Sequence, residues 1–185
     1  MRSTGKSVKL LAIGFLCAVV PLCVHAQAAS TLGLTSISRS NIVKAVENYA
    51  HGVACEVNVP APMQIGEVGK DVLGKPEYAV LWAGDIGCQG GNGTSTENIA
   101  IVKHGGFSMP RYYVDPRRSS PEVSIDHGRL DLSTRILSST ANSIRIESKT
   151  FGPHDSLCCP SLKILGTLVE HESGNWVLIN KKVVK

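Results

Sequence analysis

The sequence predicts an α+β domain in which one N-terminal helix packs on a mostly antiparallel β-sheet, a meander braced by disulfides. Three observations lead there. Ser38 to about Ala50 carries apolar side chains at helical spacing, the second half of the chain alternates apolar and polar residues between turns, and four cysteines follow an export signal.

Arg2, Lys6 and Lys9 form a basic start, Leu10 to Leu22 an apolar core too short to span a bilayer with ease, and Val24-His25-Ala26 offers small residues at the cleavage positions. Residues 1–26 are read as a cleavable secretory signal peptide, with Ala28 and Ala29 as alternative ends, and the working protein as periplasmic or secreted. Leu16 and Leu22 precede Cys17 and Cys23 where lipoprotein processing requires a small residue, so no lipid anchor is predicted. No later run is apolar enough to cross a membrane, and no stable membrane insertion is expected.

The whole sequence holds 19 Lys and Arg against 15 Asp and Glu, but three of those cations and none of the acids leave with the signal. The mature chain is therefore close to neutral, which removes the main support for a nucleic-acid partner or a polybasic membrane role. Arg117-Arg118 reads as a solvated turn rather than a phosphate clamp.

Cys55, Cys88, Cys158 and Cys159 remain after cleavage, and in an oxidising compartment they read as two disulfides. Joining Cys158 to Cys159 strains the ring between adjacent residues, and Pro160 favours an extended backbone in which neighbouring side chains diverge. Cys55 and Cys88 are thus expected to pair one each with Cys158 and Cys159, tying the N-terminal, middle and C-terminal thirds together. Zinc is disfavoured because no Cys-x-x-Cys occurs and no histidine stands at ligand spacing from the pair.

Residues 27–37 are small and polar and read as a flexible leader, so the domain is expected to occupy 38–185. Ser38 or Ser40 can cap the helix, whose Ile42, Val46 and Tyr49 share one face, and Gly52 can end it. Between Cys55 and Pro76 the Pro and Gly content predicts loops with one short strand at Glu56 to Val59. Tyr78 to Ala83, apolar on both faces, reads as a central strand, and Asn98 to Lys103 as its successor.

The link between those two strands, Gly84 to Gly93, is rich in glycine. As a phosphate cradle it lacks the Gly-Lys-Ser/Thr ending and leads into a strand rather than a helix. As a calcium loop it offers Asp85, Asn92 and Glu97, but Gly87 and Gln89 stand where oxygen ligands belong. A hairpin link pinned by Cys88 is the better account.

Arg111 to Val114 is predicted as a short strand ended by Asp115-Pro116. Glu122 to Ile125 follows, then a turn at Asp126-His127-Gly128, then strands over Arg129 to Leu137, Ser143 to Lys149, Leu162 to Glu170 and Asn175 to Val184. Ile144 and Ile146 alternate with Arg145 and Glu147, so this region has one buried and one wet face.

Catalytic chemistry is poorly supported. His51, His104, His127 and His171 stand at helix-end, glycine-flanked or turn positions, no Gly-x-Ser-x-Gly elbow occurs, and no cofactor or metal site is predicted. His154 and Asp155 differ, because they stand in a loop expected to be held by disulfides, where a side chain can be offered to a partner at low entropic cost. Pro153-His154-Asp155 resembles the Pro-His-Asp loop of Ivy-type periplasmic inhibitors of lysozyme, which implies a loop that enters an enzyme cleft. More broadly, Trp82-Ala83-Gly84-Asp85-Ile86-Gly87-Cys88 with Phe151-Gly152-Pro153 and Cys158-Cys159-Pro160-Ser161 resembles small exported bacterial proteins of unknown function, including the LppP/LprE-type lipoproteins. Together these readings predict a non-enzymatic module that binds another protein or a cell-envelope component, with an inhibitor or immunity protein against an exported hydrolase as the sharpest version. The alternative is a hydrolase whose site is assembled from dispersed Ser, His and Asp.

Overall fold

The computed structural model describes residues 34–59, 64–90, 95–106, 110–126, 134–156 and 160–184. The signal peptide and most of the expected leader lie outside them, as do His127, Cys158 and Cys159.

The described residues form one helix and two five-stranded sheets, where the sequence suggested a single sheet. The helix α1 (Ser36–Val53) starts earlier than Ser38 because Thr35 is the cap: its hydroxyl accepts the Ser38 N–H at 3.1 Å. Ser38 is thereby inside the helix and buried, and the expected leader gives its last two residues to the first turn.

The first sheet, sheet A, contains β1 (Val57–Asn58), β2 (Ile65–Lys70), β3 (Pro76–Gly84), β4 (Thr96–His104) and β5 (Tyr112–Val114). β1 and β2 both pair antiparallel with β3, at opposite ends of it, and β4 and β5 follow on its other side. β2 was expected to be loop. Its Gly66 faces Ser139 so closely that an added Cβ would stand 2.9 Å from the serine Cβ, so the glycine that looks like a strand breaker is what lets the strand pack.

β4 outruns β5, and the edge it leaves is completed by side chains. Ser119 Oγ accepts the Ile101 N–H at 2.9 Å and Ser120 Oγ that of Ile99 at 3.2 Å, so these buried serines replace a missing strand. Tyr49 donates its hydroxyl to Ser120 O at 2.8 Å and so ties α1 to the same segment.

Sheet B contains β6 (Ile125–Asp126), β7 (Arg135–Thr140), β8 (Ser143–Thr150), β9 (Leu162–Glu170) and β10 (Trp176–Val184), in the order β6-β10-β9-β8-β7. β7 to β10 form the expected antiparallel meander. Of the strand expected at Glu122 to Ile125, Ile125 is in strand and, with Asp126, pairs in parallel with Trp176 and Val177 of β10; the rest of the turn expected at Asp126-His127-Gly128 and the start of the next strand lie outside the described residues.

Sheet A lies between two apolar clusters. On one side Ile42, Val46 and Ala50 of α1 join Tyr78, Val80, Trp82, Ala100, Val102 and Tyr112. On the other, Ala79, Leu81, Ile99 and Ile101 meet Ile144, Ile146, Ile164, Leu168 and Trp176 of sheet B. Alternate residues of β3 and β4 point to opposite clusters, which is why both strands read as apolar throughout.

The sulfur chemistry departs from expectation. Cys55 is bridged to Cys88, with Cα atoms 5.3 Å apart, rather than to either member of the C-terminal pair. The reason is the β1–β3 register: Val57 pairs with Gly84, Cys55 N–H donates to Asp85 O at 3.1 Å, and Asp85 N–H donates to Glu56 O at 3.0 Å. The chain leaving β3 is thus already beside Cys55, and Cys88 takes a left-handed backbone (φ 51°) as the link doubles back. The bridge pins the glycine-rich link, as expected, but it does not join sheet A to sheet B.

Candidate functional site

The loop between β8 and β9 carries the residues that the sequence singles out. Asp155 is half-buried. Its Oδ2 accepts the backbone N–H of Gly152 at 2.6 Å and of Ser161 at 2.7 Å, closing the base of the loop. The Gly152 N–H foremost, with the Ser161 hydroxyl and N–H, holds this carboxyl below the usual carboxylate range. His154, its neighbour, is exposed in the turn. The loop is therefore braced by a carboxylate, with Pro153, His154 and Ser156 exposed on it.

A second projection escaped the sequence reading. The turn joining β2 to β3 runs Asp71-Val72-Leu73-Gly74-Lys75, and its two aliphatic side chains are almost wholly in water, Val72 at 102% and Leu73 at 78% relative exposure. Hydrogen bonds fix the turn. Asp71 Oδ1 accepts the N–H groups of Leu73 and Lys75, each at 2.8 Å, while Asp71 N–H donates to Lys75 O and Gly74 N–H to Asp71 O. Gly74 sits at φ 75°, the backbone that glycine adopts without steric cost. Lys70 and Lys75 flank the tip. Asp71 and Gly74 at these positions were the readable signal for a tight hairpin turn.

A hollow of about 450 Å³ lies beside the β6–β10 pairing and is lined by Ser124, Ile125, Asp126, His171, Ser173, Asn175 and Val177. It brings a serine, a histidine and an aspartate together, as the hydrolase reading requires. Their geometry is that of a turn. His171 Nδ1 is 3.4 Å from Ser173 Oγ and equally far from the Ser173 N–H, two residues on, and no hydrogen bond joins Asp126 to His171 among the described residues. His104 is held differently, with its ring edge-on to Tyr112 at 5.3 Å and Nδ1 against Gly105 O. His51 ends the helix and is exposed.

Of the solvated turn expected at Arg117-Arg118, Arg117 is exposed as expected, but Arg118 is half-buried. Arg118 reaches into the gap between the sheets and pairs with Glu77 of β3 at 2.6 Å and Glu170 of β9 at 3.2 Å. Lys103 joins the cluster through Asp115 at 2.7 Å and Glu77 at 3.5 Å. Burial opposes ionisation of Asp115, but Lys103 outweighs it and leaves the carboxyl below its ordinary range. These charges satisfy one another and link the sheets.

Among the described residues no group of three or more His, Cys, Asp and Glu side chains is placed to hold a metal ion, and no helix is long and apolar enough to cross a membrane. Of the calcium-loop candidates, Asn92 lies outside the described residues and Asp85 Oδ2 accepts the Gly90 N–H at 2.9 Å. Comparison with protein-family models, with curated proteins and with solved structures finds no match.

Proposed function

We propose that the chain is a non-enzymatic exported binding module, periplasmic or secreted, whose target is another protein or a component of the cell envelope. The observation that carries this reading is the β2–β3 turn. Singly exposed aliphatic residues are ordinary, but Val72 and Leu73 are adjacent, wholly presented and mounted on a hydrogen-bonded turn. Side chains held this way lose little freedom on entering a pocket, so they suit the role of apolar anchors. His154, exposed on a loop closed by Asp155, offers a second contact. The sharpest version is an inhibitor or immunity protein against an exported hydrolase, the role implied by the resemblance of Pro153-His154-Asp155 to Ivy-type inhibitors. The resemblance to LppP/LprE-type proteins agrees with export and adds no activity.

The test is binding by the mature protein, immobilised and exposed to periplasmic and culture extracts, beside a Val72→Ser/Leu73→Ser variant. Because both side chains are already in water, the variant should keep wild-type unfolding behaviour while losing at least about tenfold in affinity for the retained target. If the target is a hydrolase, its activity should fall on binding, and His154→Ala should weaken the effect. Undiminished binding by the turn variant would remove the anchor reading.

The alternative, a hydrolase, rests on the hollow that holds Asp126, His171 and Ser173. It requires turnover of an ester, peptide or glycan that Ser173→Ala abolishes.

A further inference from the structure

Sheet B turns one face to the core and, among the described residues, leaves the other uncovered, and that outer face is chemically lopsided. Strand alternation and register place Arg145 beside Thr167 and Ile179, Glu147 between Arg135 and Leu165, and Lys149 beside Lys163. Lys182 stands next to Leu165 on the same face. Among the described residues the carboxylates there are Glu147 and, at the β6 edge, Asp126. Glu147 is already engaged, by Arg135 at 2.6 Å and Lys163 at 2.7 Å. Arg145, Lys149 and Lys182 are exposed and meet no carboxylate among the described residues. A mature chain close to neutral overall has thus gathered unpaired cations on one face.

We propose that this outer face docks on the anionic headgroup surface of a phospholipid bilayer. The unpaired cations stand on two strands, Arg145 and Lys149 on β8 and Lys182 on β10, with the Glu147-paired Lys163 of β9 beside Lys149; the register sets the three roughly 12–14 Å apart, on a surface rather than in a groove. Mobile headgroups can gather to match such an array, whereas a folded acidic partner would need a fixed copy of it. Between the cations lie Leu165 and Ile179, the latter 43% exposed, so the stems of the basic side chains and these aliphatics form one amphipathic layer suited to interfacial depth. This contact is peripheral and reversible, lies on other strands than the β2–β3 turn, and does not depend on the identity of any protein partner.

The experiment is co-sedimentation of the mature, oxidised protein with phosphatidylcholine vesicles containing about one third phosphatidylglycerol, beside vesicles of phosphatidylcholine alone. Binding to the anionic vesicles should exceed binding to neutral ones by at least about tenfold and fall steeply between about 0.05 and 0.3 M salt. Lys149→Glu/Lys182→Glu should lower it at least about tenfold, and the milder Lys149→Gln/Lys182→Gln should lower it less while keeping the wild-type unfolding curve. Lys44→Glu, on the exposed side of α1 at the far side of the molecule, should change it less than about twofold. Equal binding to both vesicles, indifference to the Lys149/Lys182 changes, or capture of an acidic protein by this face in the absence of vesicle binding would each overturn the proposal.

Discussion

Sheets A and B have strands of similar length and opposite exposure, and the difference shows how position in a layered fold is written into a strand. In β3 every residue after Pro76 is buried, while in β8 and β9 buried and accessible residues alternate. Sheet A is covered on both faces, by α1 and by sheet B, so its strands afford no polar side. Sheet B has one covered face, so its central strands β8 and β9 change character at every residue.

The largest expected effect breaks this comparison at its two extremes. Ile101→Ala, in the middle layer, removes a side chain with no accessible surface and should destabilise the fold by about 2–5 kcal/mol. Ile179→Ala, on the outer face of sheet B and 43% exposed, should cost less than about 1 kcal/mol. Denaturant titration of the two variants checks both figures. Similar losses at the two positions would mean that the outer face is covered in solution.

The same contrast explains what the sequence could tell. The doubly apolar Tyr78 to Ala83 and the alternating Ser143 to Lys149 announced their layers, because burial on two faces or on one imposes patterns that no turn imitates. β2 was hidden because Gly66 and Gly69 look like loop, and the reason for Gly66 is its close approach to Ser139, seventy-odd residues away. The parallel pairing of β6 with β10 rests on two residues and leaves no period to read. Arg118 looked like surface because nothing local marks Glu77 and Glu170 as its partners. The disulfide was misassigned by elimination: setting aside the strained Cys158–Cys159 ring also set aside Cys55–Cys88, which the β1–β3 register brings together. At the candidate site, His154 and Asp155 were legible as residues but the Gly152 and Ser161 amides whose hydrogen bonds Asp155 accepts were not, and Val72 and Leu73 drew no notice because a turn tip has no periodicity.

A second contrast concerns the long connections within each sheet, and it sets the next effect in size. The link after β3 is pinned covalently, across a sequence separation of 33 residues, so Cys55→Ser/Cys88→Ser should lower stability by about 3–4 kcal/mol through the freedom returned to the unfolded chain. The change should fall on β1 and the start of the link, read as faster exchange of the Cys55 and Asp85 amides, whose acceptors depend on that register.

The connection after β8 is held by charge instead, and its response should be to acid. Asp155 has a folded pKa below its ordinary value of 3.8, because the Gly152 N–H and the Ser161 groups favour the ionised form. Its contribution is therefore complete at neutral pH and is lost as pH falls below about 3.8 and through the folded pKa. Exchange at the Gly152 and Ser161 amides, corrected for the intrinsic effect of pH, should rise severalfold over that window, and Asp155→Asn should remove most of the pH dependence at these two positions. The Cys55 and Asp85 amides, whose acceptors are backbone carbonyls, should not share it. A common acid response at both connections would place the controlling carboxylate elsewhere, in the Glu77, Asp115 and Glu170 cluster that Arg118 and Lys103 hold between the sheets.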